Sequence, residues 1–309
     1  MQIRWFAALL VVCLTVPLVA GEKASGEMQV ILLGTGYPRP NPERAGPATA
    51  IVVGEKVFVV DAGRGVVMRL WSIHPAAGGA DNPLKNLRAV FLTHLHSDHI
   101  SGLPDLFNTS WIFGRYQPLE LYGPAGTERA ARALEKFFRA DTYIRRDLTE
   151  MHPGAGATIK VHTVEEGVVY EDGEVRVTAF AVDHRPVEPA FGYRFDRLGA
   201  SGESVKSVVI SGDTRPSKNL IRHARGVDVL IHEAYLPEHF DRVDSPDVAA
   251  RLKRYHTSAT EVGKVAAEAG VKLLVLTHLV PGGAEGTFLE RARQHFKGRI
   301  VVGRDLMRF

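Results

Sequence analysis

The stretch THLHSDHISG, residues 93–102, places three histidines and an aspartate within six positions. The residues before it, LRAVFL, form an apolar run that reads as a buried strand, and LPDLF after Gly102 suits a helix. The cluster therefore sits where a strand stops and a helix starts. His94 and His96 are two apart, so in extended backbone they point the same way. Asp98 and His99 lie beyond and can turn toward a second point. Neither pair completes a metal site alone, because an ion held by two side chains needs at least one more nitrogen or oxygen.

Working outward, other apolar runs also end in a residue able to bind metal. AVDH ends at His184, VVISGD at Asp213 and LLVLTH at His278. Strands that deliver donors to one edge would build a rigid site at the mouth of a sandwich. His184 and His278 are the natural third donors, and the two oxygens of Asp213 could bridge two ions. Histidine with carboxylate suits Zn2+ best, two ions per chain, while Mn2+ or Fe2+ tolerates the same set. Two ions about 3.5–4 Å apart would share a hydroxide nucleophile and clamp both oxygens of a displacement.

The rest of the pattern alternates. MQVILLG, ATAIVV and VFVVD read as early strands, the first two split by the turn-rich GYPRPNPERAGP. GTERAARALEKFF and SATEVGKVAAEA read as helices, the second with a capping box at Ser258 and Glu261. PLELYG, EVRVTAFAVDH, AFGYRFD, VKSVVISGD, VDVLIHE, KLLVLTH and RIVVG read as strands, GVVMRLWSI and GTFLERARQHF as helices, and HPGAGATI as a loop. Two sheets packed face to face with helices outside would bury all of these runs.

Composition is that of an ordinary globular chain: 309 residues, 45% hydrophobic and 24% charged. Arg4 followed by WFAALLVVCLTVPLVA reads as a secretory signal peptide over residues 1–20, with residues 21–309 forming the folded domain. The apolar run is short for a spanning helix and holds Pro17, so no stable membrane span is expected after its removal. The expected location is secreted or periplasmic. The one cysteine, Cys13, lies in that run, which excludes disulfides from the mature chain. With 38 basic against 35 acidic residues, the net charge of +3 is too small to imply a nucleic-acid surface. Nucleic acid is therefore not expected as a partner, and a small or medium ester substrate is.

THLHSDH matches the HxHxDH signature of the metallo-β-lactamase superfamily, and VDAG at Asp61, AVDH, SGDT and LTH follow in that family's order. From Met28 to Phe309 the chain resembles the ribonuclease Z-like branch, including its arylsulfatase-like members. The resemblance implies an α/β (α+β) fold, a four-layer αββα sandwich of two mixed β-sheets flanked by helices. It implies His94, His96 and His184 on one ion, Asp98, His99 and His278 on the other, and Asp213 between them. It also implies that His256, in YHTS, donates a proton to a leaving oxygen, oriented by Glu233 in IHEA. Asp98 would accept a proton from the attacking water, and Asp61 would support the donor histidines. A homodimer is expected by analogy.

The chain departs from the tRNA-processing members in two places. No Gly/Pro-rich arm stands out between Gly102 and His184, and LVPGGAEG follows His278 where those members carry a serine- and aromatic-containing loop. The reading that follows is an exported dinuclear-zinc hydrolase cleaving a phosphodiester or aryl sulfate ester. Its alternatives are an acyl hydrolase of lactonase or β-lactamase type, a ribonuclease Z-type 3′-tRNA endonuclease, and an inactive metal-binding homologue. His232 reads as structural. His74, His152, His162, His223, His239 and His295 read as surface or loop residues, and the region of Arg39 and Arg44 reads as a contact for an anionic substrate.

Overall fold

Apolar runs whose side chains alternate between two faces can be buried only if both faces are covered, and this chain covers both faces of two sheets. The computed structural model describes residues 27–73, 82–240 and 245–309. The expected signal segment and His74 lie outside the described residues. The first sheet holds six strands in the order β1 (Met28–Gly34), β2 (Ala48–Val53), β3 (Lys56–Val60), β4 (Leu87–Phe91), β5 (Leu119–Gly123), β6 (Ile159–Thr163). The second runs β13 (Arg299–Val302), β12 (Leu273–Val280), β11 (Val229–Tyr235), β10 (Ser204–Ile210), β9 (Phe191–Leu198), β8 (Val175–Ala181), β7 (Gly167–Glu171). Both sheets are mixed: β1 to β3 and β7 to β10 pair antiparallel, while β3 to β6 and β10 to β13 pair parallel.

Three apolar layers follow from the alternation. Val30, Phe58, Phe91, Phe195, Ile231 and Val275 meet between the sheets. Ile31, Val57, Val59 and Val90 face the helices Val66–Trp71 and Leu103–Ile112. Val209, Leu230 and Leu274 face the helix Ala259–Ala269, whose predicted capping box forms as Ser258 and Glu261 exchange hydrogen bonds. This is the expected αββα order. The C-terminal residues then close the first sheet's edge: Val30 and Phe309 exchange backbone hydrogen bonds at 3.0 and 2.9 Å. This pairing satisfies outward-facing backbone groups of that edge strand.

The sequence reading misses β6 and β7. IKVHT and GVVYE are outer strands of the two sheets and only half-buried, so they lack the continuous apolar run that marks the central strands. HPGAGATI is a short 3-10 turn, Gly154–Ala157, that leads into β6. No helix among the described residues is long and apolar enough to cross a membrane.

Candidate metal centre

Strand ends position the donors, but the strands end earlier than the apolar runs indicate. β4 stops at Phe91, so His94 follows on a short loop and His96 caps the single-turn helix Ser97–Ile100 that carries Asp98 and His99. His184 follows β8, and Asp213 follows β10. His278 is different, because β12 does not end there. Pairing of β11 with β12 passes from Glu233–Thr277 to Ala234–Leu279, so His278 is an extra, bulged residue. Its φ of 45° is left-handed. A bulge of this kind re-aims one side chain while the strand continues.

Asp61 is the second non-glycine residue at the site with positive φ, 60°. Such backbone is costly for a non-glycine residue and persists only where its surroundings over-determine it. Here the surroundings are hydrogen bonds. The Asp61 carboxylate accepts from the Thr93 amide at 2.8 Å, the Thr93 hydroxyl at 2.9 Å and His99 Nδ1 at 2.8 Å. The next residues are laced to the donor turn, with Ala62 N–H donating to His99 O at 2.7 Å. Gly63 lies where any Cβ would come within 2.7 Å of the Asp98 carbonyl, so only glycine allows this approach.

These supports fix which nitrogen of each ring is free. His99 spends Nδ1–H on Asp61, and His184 spends Nδ1–H on the Tyr255 carbonyl at 2.8 Å. His94 Nδ1 lies 2.9 Å from the Thr93 hydroxyl, which itself donates to Asp61. Nε2 is thereby the nitrogen that each of the three rings turns toward the centre, the one a metal would take.

The free atoms converge in two groups. His94 Nε2 lies 3.0 Å from His96 Nδ1, which lies 3.3 Å from His184 Nε2, and Asp213 Oδ2 is 3.8 and 3.9 Å from the first and last. On the other side, His278 Nε2 lies 3.2 Å from Asp98 Oδ2 and 3.5 Å from Asp213 Oδ2, and His99 Nε2 lies 3.4 Å from Asp213 Oδ1. The seven residues expected as donors are thus brought together, with Asp213 between the groups.

The arrangement fits a cation. His99 Nε2 and Asp213 Oδ1 are buried and have no hydrogen-bond partner. A folded chain satisfies such atoms unless something else does. Burial lowers His94 well below its ordinary value and takes His184 down to about 4, so both rings are neutral and able to coordinate. Burial would raise Asp213, but His278 and His99 outweigh it and hold the carboxyl well below the usual range.

Beside the donors, His256 Nδ1 lies 2.9 Å from Glu233 Oε1 and 3.9 Å from Asp213 Oδ2. Burial pulls His256 down, yet Glu233 carries it up to about 9. Glu233 is itself fixed, accepting from the Thr214 amide at 2.9 Å. His232 is structural, as read from sequence: it is fully buried, bonded through Nδ1 to the Glu233 carbonyl, and lowered to about 4 by burial.

Expectations outside the donor set fail at Arg44, His162 and His223. Arg44 does not present its charge to a ligand. It is buried and bonded to Thr35, the Gly303 carbonyl and Glu285, so it ties the turn after β1 to the C-terminal part of the chain. His162 and His223 are not free surface or loop residues: His162 lies on β6 and stacks on Tyr122 with centroids 4.2 Å apart, and His223 stacks on Phe180 with centroids 4.4 Å apart. The residue that sequence reasoning passed over is Tyr255, one position before His256, whose carbonyl orients His184. Its only signal was that it adjoins HTS.

The beta-lactamase superfamily domain matches residues 56–279. A ribonuclease Z of Mycobacterium bovis (strain BCG / Pasteur 1173P2) is 38% identical over 291 residues, which covers 91% of this chain and 97% of the relative. A metallo-beta-lactamase fold protein of Bacillus subtilis superposes with a TM-score of 0.68 at 22% identity, covering 92% of this chain and 99% of that one. The short form of human tRNase Z superposes with a TM-score of 0.63 at 22% identity, covering 91% and 98%.

The ribonuclease relative overturns the expectation that nucleic acid is no partner. That expectation came from net charge, which is a sum over the whole surface. A phosphodiester is met by the local field at the donor cluster, and a chain of small net charge can still present one. The preference for an exported, arylsulfatase-like enzyme likewise has no support among these relatives, and the ribonuclease Z-type alternative is the better supported.

Proposed function

The chain belongs to the beta-lactamase superfamily, in its ribonuclease Z-like branch, and from that premise we propose that it is a ribonuclease Z-type phosphodiesterase whose substrate is RNA. Membership makes it a metal-dependent hydrolase acting on ester bonds. The observation that carries the finer reading is the donor set, two groups with Asp213 close to both, on a chain alignable with a ribonuclease over nearly its whole length. Histidine and carboxylate donors without thiolate suit zinc, and two donor groups suit two ions.

The residues that would hold one ion are His94, His96 and His184, those for the other would be Asp98, His99 and His278, and Asp213, which lies within reach of both groups, would serve either. A bound ion supplies Lewis-acid polarisation of a phosphoryl oxygen and a more acidic water. The chain's own groups do the rest. Asp98, at hydrogen-bond distance from His278, is placed to take a proton from the attacking water. His256 has Nδ1 engaged by Glu233, which leaves Nε2 as the atom that gives a proton to the leaving oxygen. Glu233 holds that tautomer and stabilises the charged ring. The Asp61–Thr93 pair keeps His94 and His99 aimed.

The test offers the protein a tRNA precursor with a 3′ trailer, an aryl phosphodiester and an aryl sulfate, each with zinc and after chelation. Chelator-sensitive cleavage of the tRNA and the diester is expected. Turnover of the aryl sulfate alone would reinstate the sulfate-ester reading.

A further inference from the structure

Among the described residues, the ring that lies against the donor histidines without being a histidine is Tyr255. Its centroid is 5.1 Å from that of His184, nearly perpendicular at 80°, and 4.7 Å from that of His256. Its backbone is tied to the donor cluster through the bond from His184 Nδ1 to its carbonyl. The side chain is half-buried, and its hydroxyl makes no hydrogen bond among the described residues.

Two tyrosines packed between the sheets do otherwise. Tyr193 is buried and donates to the Leu92 carbonyl at 2.9 Å, and Tyr170 donates to Asp172 at 2.8 Å. A tyrosine that serves the fold usually places its hydroxyl on a partner. Tyr255 does not, and it keeps part of its surface open beside the proton donor and a donor histidine.

We propose that Tyr255 is a substrate-positioning residue whose ring stacks on a nucleobase flanking the scissile phosphodiester. The proposal rests on the reading of the chain as an RNA-cleaving enzyme. A diester held between Asp213 and His256 carries a nucleoside on either side, and a ring in contact with both His184 and His256 is within reach of one of the two bases. Every base has a π-face, so such a platform positions RNA without selecting a sequence. It also supplies a contact to single-stranded RNA that does not depend on net charge.

The experiment uses the full zinc-loaded chain and its Tyr255→Ala and Tyr255→Phe variants. The probes are a tRNA precursor with a 3′ trailer and two matched RNAs with an abasic residue on one or the other side of the cut. In Tyr255→Ala, KM for the intact RNA should rise about 10-fold or more with kcat nearly unchanged. One abasic RNA should show the same weakening already in the wild type and little further loss in the variant. Tyr255→Phe should behave as wild type, and zinc content should not change in either variant. An unchanged KM, or a loss of zinc with an equal fall in kcat on all three RNAs, would overturn the proposal and leave Tyr255 as packing for His184. A wild type that cleaves none of the RNAs rejects the RNA reading itself, which separates that failure from the failure of stacking alone.

Discussion

The two ends of the sandwich treat charge in opposite ways. At the end where β3 begins and β7 turns into β8, Lys56 of the first sheet reaches across to Asp172 at 2.8 Å and Glu174 at 2.5 Å, next to the second sheet. Tyr170 adds a hydrogen bond to Asp172 at 2.8 Å. Every charge in that group has a partner within the chain. At the other end, His99 Nε2 and Asp213 Oδ1 are buried 3.4 Å apart and neither makes a hydrogen bond. An unsatisfied buried polar atom costs about 1–3 kcal/mol, so a chain able to close one end would also close the other if stability were the only demand. The contrast separates a clamp from a site: the first holds the sheets together, and the second is completed from outside.

Removing Asp213 should break that contrast most severely. Asp213→Ala deletes the oxygens shared by both donor groups, so zinc content should fall and turnover should drop by more than the ~100-fold typical of a supporting residue. Metal analysis beside a hydrolysis assay checks this, and retained full activity would remove Asp213 from its bridging place. His256→Ala comes next: turnover should fall about 100-fold with zinc still bound, because a proton donor is lost and no donor to the ion is. An unchanged rate would return His256 and Glu233 to a structural pair.

Asp61→Asn should sharpen the picture further. It keeps the shape but weakens the hold on His99 and Thr93, so zinc affinity should fall about 10- to 100-fold and added zinc should restore turnover. The smallest effect belongs to the closed end. Asp172→Ala should cost about 1 kcal/mol in a denaturant titration and leave zinc content and turnover untouched. Burial would raise Asp172, but Lys56 and Tyr170 hold it down at about 2. The stabilisation is therefore complete above the ordinary value of 3.8 and is lost as pH falls through about 2. An acid melt of the wild type against the variant measures it.

Much of this was readable from the chain, for a physical reason. THLHSDH is legible because its donors are contiguous and follow a buried strand, and the central strands are legible because burial on both faces makes them continuously apolar. Edge strands β6 and β7 were not, since a half-exposed strand has no such run. The bulge at His278 was also hidden: LLVLTHLV has the composition of one strand, and nothing in it announces that one residue is extra. Arg44 shows the opposite failure, a charge that looks free in sequence and is consumed by partners 241 and 259 residues away. Net charge misled in the same way, because partners are chosen by local fields and a sum does not record them.

The measurement that bears most directly on the account is a zinc titration of chelated protein, followed by aryl phosphodiester hydrolysis. The account predicts no turnover without metal, recovery as zinc is added, and no recovery in Asp213→Ala. Full turnover by the chelated, metal-free protein would contradict it.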